Sequence, residues 1–118
     1  MTATIAMVTL DCADPKELAT FWTAALDAKI VHEVGGEFLV LASTADRGVL
    51  LGLQRVPEPK NGKNRAHVDL HTDDRVAEVR RLVGLGATVL EEHTHPGFGW
   101  TVLADPAGNE FCMGAEEQ

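Results

Sequence analysis

Two nine-residue stretches lie sixty positions apart on a common framework: AMVTLDCAD, from Ala6 to Asp14, and AHVDLHTDD, from Ala66 to Asp74, share alanine, valine, leucine and the final aspartate. Four matching letters alone constrain little. What makes the match informative is the order of elements around it, since a duplicated supersecondary unit repeats its whole pattern. Thr4 to Asp11 alternates and is rich in β-branched residues, as a half-buried strand requires. In the following DPKELATFWTAALDA, Asp14 can cap a helix, Pro15 suits its first position, and Glu17 stands three residues after the cap. Leu18, Phe21, Trp22, Ala25 and Leu26 then recur at helical spacing. KIVHEV, EFLVLAS after the Gly35-Gly36 turn, and GVLLGLQR read as three strands joined by hairpins.

The polar segment PEPKNGKN, Pro57 to Asn64, is expected to be an exposed connection. After it the order repeats. AHVDLH is a strand, Asp73 or Asp74 caps a helix carrying Val76, Val79, Leu82 and Val83, and Gly86 ends it. ATVLEEH, GWTVLAD and NEFCMG supply three more strands, the last two joined by DPAGN, whose proline and glycine suit a tight turn. The expected fold class is therefore α+β, with two tandem βαβββ modules in a single domain over 1–118: module one about 4–56, a linker at 57–65 and module two about 66–115.

Composition limits the partners. A chain of 118 residues, 45% hydrophobic, suffices for one core. Its net charge of −8 repels phosphate backbones and anionic lipid surfaces, which argues against nucleic acid and membrane partners. MTATIAMVTLD lacks the basic flank and apolar core of a signal peptide, and no apolar run is long enough to span a bilayer, so a cytoplasmic protein equal to this chain is expected. Cys12 and Cys112, without CxxC spacing or further cysteines, read as free thiols.

Strand parity separates two faces. Ala6, Val8, Leu10, Val49, Leu51, Leu53, Val68, Leu70, Phe111 and Met113 form an apolar set expected to pack under the helices. Met7, Thr9 and Asp11, Gly52 and Gln54, His67, Asp69 and His71, and Glu110 and Cys112 form the opposite face, polar and rich in donors and acceptors. That face either lines a cup for a small molecule or is a plain solvated surface. His67 and His71 stand about 13 Å apart along a strand rising roughly 3.3 Å per residue, too far to share one ion. His67 with Asp69, or Asp69 with His71, could chelate only with further ligands from other strands.

The duplicated unit, the helix-opening ADP at Ala13 to Pro15, the HVDLHTDD strand and the WTVLADPAGNEF ending together resemble the vicinal oxygen chelate superfamily of glyoxalases, extradiol dioxygenases and bleomycin-resistance proteins. The resemblance spans about Thr4 to Gly114 and is greatest to small glyoxalase-like proteins of actinobacterial type. It implies paired βαβββ modules whose sheet curls around a cavity, and a homodimer. It also implies metal-ligand positions at the first and last strands of each module. Those positions fall on Met7, on Gly52 (or Gln54 with the register slipped by two), on His67, and on Cys112, where the pattern calls for a carboxylate. Only His67 matches. Such an ion needs three or more protein donors, so no metal and no other cofactor is expected, with His67 the fallback ligand. Zinc on His67 and Cys112 would need a third ligand, Gln54 or Glu110.

The expected function is accordingly metal-independent binding of a small organic molecule in a cavity lined by Met7, Thr9, Asp11, Gly52, Gln54, His67, Asp69, Trp100, Glu110 and Cys112. Trp100, after the glycines of GFGW, is either a cavity wall or a hairpin anchor. The alternative is a lyase or isomerase in which His67 and Glu110 act as acid and base, or one with an unconventional metal. Cys112 reads as a packing residue and not a nucleophile, whose activating base could only be His67. The HTHPGFG segment from His93 reads as an exposed loop, and Arg75, Arg80 and Arg81 as a solvated helix face.

Overall fold

The structure is a computed structural model that describes residues 5–43 and 48–116; Thr4, the expected start of the first strand, lies outside them. The chain separates into two compact units, Met1–Lys60 and Asn61–Gln118. The first comprises β1 (Met7–Cys12), α1 (Pro15–Leu26), β2 (Ala28–Val34), β3 (Phe38–Ser43) and β4 (Leu50–Arg55). The second comprises β5 (Val68–His71), α2 (Arg75–Leu85), β6 (Thr88–His95), β7 (Phe98–Ala104) and β8 (Glu110–Glu116). Each unit is βαβββ, so the protein is α+β with eight strands in two four-stranded sheets. The sheet orders are equivalent, β1-β4-β3-β2 and β5-β8-β7-β6, and in each the first strand runs parallel to the last. The repeat extends to register: Thr9 lies opposite Gly52 as Asp69 lies opposite Cys112, and Leu10 opposite Leu53 as Leu70 opposite Met113.

Both helices begin where the aspartates dictate. Asp14 accepts from the Glu17 amide at 3.3 Å, and Asp74, the second of the two candidate caps, accepts from Ala77 at 3.1 Å. Helix α1 buries Leu18, Ala19, Phe21, Trp22 and Ala25 against β2, β3 and β4, where Leu39, Leu41 and Leu53 complete the core. The edge strand β1 stands at the margin of this packing, and Ala6 and Val8 of the expected apolar set are exposed, as is Val49 just ahead of β4. In the second unit Leu82, Leu103, Phe111 and Met113 form the core.

Helix α2 departs from expectation. It packs on β7 and β8, which leaves Leu82 its one buried residue while Val76 and Val83 remain exposed. Arg75 also differs from the solvated cluster expected of it: its Nη1 donates to the fully buried Thr101 hydroxyl at 2.8 Å. Arg81 is exposed and forks onto Glu78, whose carboxyl it holds below its ordinary value. The HTHPGFG segment is not a loop. Strands β6 and β7 run through it to a turn at Pro96 and Gly97, the latter at φ 89°, and the pairing places His93 opposite Trp100.

Candidate ligand cavity in the second unit

Register alone brings the cavity together. Asp69 of β5 lies beside Cys112 of β8, Cys112 beside Val102 of β7, and Val102 beside Glu91 of β6; one step along, Gly114, Trp100 and His93 form a parallel row. These side chains share one face, opposite the buried Phe111, Met113 and Leu103. Together with His67, Glu110 and Lys63 they line a cavity of about 510 Å³. His93 and Trp100 stack with ring centroids 4.7 Å apart and planes 16° from parallel, giving a flat aromatic wall. His93 Nε2 also lies 3.0 Å from Glu91 Oε2.

The remaining polar groups divide into two sets. Glu110 is largely enclosed, and its carboxylate meets Lys63 Nζ at 2.9 Å and accepts from the Asn64 amide at 3.3 Å. This clasp ties the connecting segment to β8, and the carboxylate in turn raises the Lys63 pKa. The second set is His67, Asp69 and Cys112. His67 Nδ1 lies 3.1 Å from Asp69 Oδ1 and 3.6 Å from Cys112 Sγ, and the three donor atoms all fall within 4.8 Å of one another. Burial pushes the Cys112 thiol above its ordinary value, and the neighbouring Asp69 carboxylate adds to the shift. A relay from acid through histidine to nucleophile uses opposite ring nitrogens. Here carboxylate and thiol meet the same nitrogen, and the thiol is held protonated, so the arrangement does not activate a sulfur nucleophile.

The ten residues expected at the site fall into two groups. His67, Asp69, Trp100, Glu110 and Cys112 line this cavity. Met7, Thr9, Asp11, Gly52 and Gln54 belong to the first unit, on the corresponding face of its own sheet. There Gly52 sits so tightly that an added Cβ would lie 2.8 Å from Thr9 Oγ1 and 3.0 Å from Met7 Sδ. Gly52→Ala is expected to destabilise the protein by about 1–3 kcal/mol through overpacking, and Thr9→Ala in the same chain to recover much of that, measured by urea unfolding of both single variants and the double variant.

Lys63, Leu70, Glu91, His93, Val102 and Gly114 also line the cavity, and sequence reasoning missed them, Leu70 having been expected on the opposite, helix-facing side. Glu91 and His93 were findable: carrying strand parity through HTHPGFG places both on the face of Trp100. Lys63 was not, since nothing local ties a polar connection to a carboxylate on β8.

The residues at the superfamily's four ligand positions do not suit a hard divalent ion. Met7 offers a thioether, Gly52 no side chain and no room for one, Gln54 an exposed amide, and Cys112 a buried thiol beside His67.

From residue 7 to residue 114 the sequence matches the family profile described as a glyoxalase-like domain. The chain belongs to that family. It is thus a member of the vicinal oxygen chelate superfamily, as the closing DPAGN turn and the duplicated strands suggested. Solved structures share the fold of this glyoxalase-like protein. A glyoxalase/bleomycin resistance protein/dioxygenase family enzyme from Burkholderia phytofirmans superposes with a TM-score of 0.78 at 17% identity, covering 96% of this chain and 98% of that one. UcmS2 gives 0.75 at 21% identity, covering 97% and 98%. The fosfomycin resistance protein FosX from Listeria monocytogenes, crystallised with Mn(II) and 1S,2S-dihydroxypropylphosphonic acid, gives 0.81 at 13% identity, covering 99% and 93%. A search of curated proteins finds no match. None of the described helices is long and apolar enough to cross a membrane.

Proposed function

We propose that this glyoxalase-like protein binds a small organic molecule in the cavity of its second unit, held by side chains and not through the superfamily's four-position metal. The observation that carries this reading is the cavity of about 510 Å³, within the range of roughly 300–1,000 Å³ typical of ligand sites. It sets a stacked aromatic wall, His93 on Trp100, among the carboxylates of Asp69, Glu91 and Glu110. Such a lining favours a flat, neutral or cationic molecule, as does the net charge of −8. A solved relative crystallised with a phosphonic acid supports the idea that this fold accommodates small polar organic molecules. The alternative, a lyase or isomerase with His67 and Glu110 as acid and base, has less behind it because Lys63 and Asn64 engage the Glu110 carboxylate. The homodimer implied by the family likeness belongs to the same reading and is checked by sedimentation velocity.

Trp100→Ala tests the proposal. With a panel of neutral and cationic aromatic compounds, calorimetric titration is expected to show binding weakened about tenfold, the loss of one good aromatic contact, in a variant that circular dichroism shows to be folded. Equal affinity in the variant would place the ligand elsewhere.

A further inference from the structure

We propose that His67, Asp69 and Cys112 form a site for one thiophilic divalent cation, zinc foremost, contained wholly within the second unit. Register supplies the arrangement: Asp69 and Cys112 face each other across β5 and β8, and His67 precedes Asp69 by two residues on the same side. Zinc bound tetrahedrally, with nitrogen and oxygen at about 2.0–2.1 Å and sulfur at about 2.3 Å, holds its donors about 3.3–3.6 Å apart. The nitrogen–oxygen and nitrogen–sulfur separations here, 3.1 and 3.6 Å, already match those edges, and the remaining sulfur–oxygen separation is at most 4.8 Å. Closing that third edge takes about 1 Å of movement, within reach of rotation about the Asp69 side chain.

The imidazole and the thiol both lean on the Asp69 carboxylate, so the three groups already point at one place. A cation between them satisfies all three donors at once. Among the described residues this is the one place where three such groups converge.

The first unit provides an internal comparison. Its equivalents, sixty residues earlier, are Met7, Thr9 and Gly52, which cannot bind an ion in this manner. The donor set therefore differs from the superfamily's in two respects. One carboxylate comes from the strand of the histidine itself, and a thiolate replaces the last-strand carboxylate. Imidazole, carboxylate and thiolate together select zinc or cobalt(II) over manganese or magnesium. Binding moves the Cys112 proton to solvent as the sulfur–metal bond forms. Three protein ligands leave a fourth position open to the cavity. Only the use of that position by an organic ligand rests on the proposed binding function; the ion site stands on its own geometry.

Cobalt(II) titration of the chelator-treated, reduced full chain tests the site. The expected result is one cobalt per chain with a sulfur-to-cobalt charge-transfer band in the near-ultraviolet, displaced by equimolar zinc and not by excess manganese. Cys112→Ser should abolish the band, Asp69→Asn and His67→Gln should each weaken binding by about tenfold or more, and Cys12→Ser should leave the band unchanged. Circular dichroism of each variant establishes that it is folded. Absence of the band in the folded parent chain, or a band that survives Cys112→Ser or is lost in Cys12→Ser, would overturn the proposal. Titrating the aromatic panel into the same chelator-treated protein keeps failure of the ion site separate from failure of the binding cavity.

Discussion

Trp22→Ala is expected to cost about 3–5 kcal/mol of folding stability, the range for deleting a fully enclosed aromatic side chain. Trp22 is 1% exposed, and Phe21 meets its ring edge-on at a centroid distance of 5.0 Å. It lies on the α1 face that packs on β3 and β4, whose Leu39, Leu41 and Leu53 are fully buried. Collapse around the cavity left by an indole would require α1 to descend onto the sheet, yet its start is pinned by the Asp14 cap. Domains of this size are stable by only about 5–15 kcal/mol, so the loss is a large fraction of the total. Urea unfolding measures it, and amide exchange should show the protection of Leu39, Leu41 and Leu53 falling together. A loss below about 1 kcal/mol would mean that the α1 face is not the core of the first unit.

Asp105→Ala is expected to be the next most damaging change, at about 2–4 kcal/mol, because it strips a buried charged acceptor from several donors at once. Asp105 is 3% exposed, and its carboxylate accepts from the amides of Ala107 and Asn109, each at 2.9 Å, and from Asn109 Nδ2 at 3.2 Å. The turn it organises, with Gly108 at φ 92°, sets the register of β7 against β8. That register places Val102 beside Cys112 and Trp100 beside Gly114, so the same substitution should loosen the cavity. Asp105→Asn retains one acceptor oxygen and is expected to lose roughly half as much, by urea unfolding. Equal losses for the two variants would show that charge, and not acceptor geometry, holds the turn.

Most of the fold was legible because its signals are local. A capping aspartate before Pro15, another before Arg75, and period-2 alternation in VTLD and HVDLH each act within a few residues, and the structure follows them. The sixty-residue repeat then turned local elements into a topology, since equivalent units take equivalent strand orders. Reading failed where strand pairing or packing, and not local composition, decides the outcome. HTHPGFG looks like a loop because of Pro96 and Gly97, yet those two residues form only the turn, and pairing with β7 extends β6 around them. Val76 and Val83 have helical spacing yet remain exposed. Arg75 finds a buried hydroxyl 26 residues away.

The site shows the same division. Parity correctly grouped Asp69 with Cys112 on one face, and the structure adds how closely His67 joins them, which no strand pattern encodes. The Lys63–Glu110 clasp spans 47 residues and engages the carboxylate that the sequence offered as a base. The superfamily's ligand positions also proved informative by their mismatch, since the first unit carries Gly52 where the second carries Cys112.

On the proposed reading, the ligand meets this protein on the cavity face of the second unit. Amide chemical-shift mapping of the isotopically labelled protein against the panel of neutral and cationic aromatic compounds tests it most directly. Saturable shifts are expected at His67, Asp69, His93, Trp100 and Cys112, with Met7, Thr9 and Gly52 undisturbed. Shifts confined to the first-unit residues would contradict it.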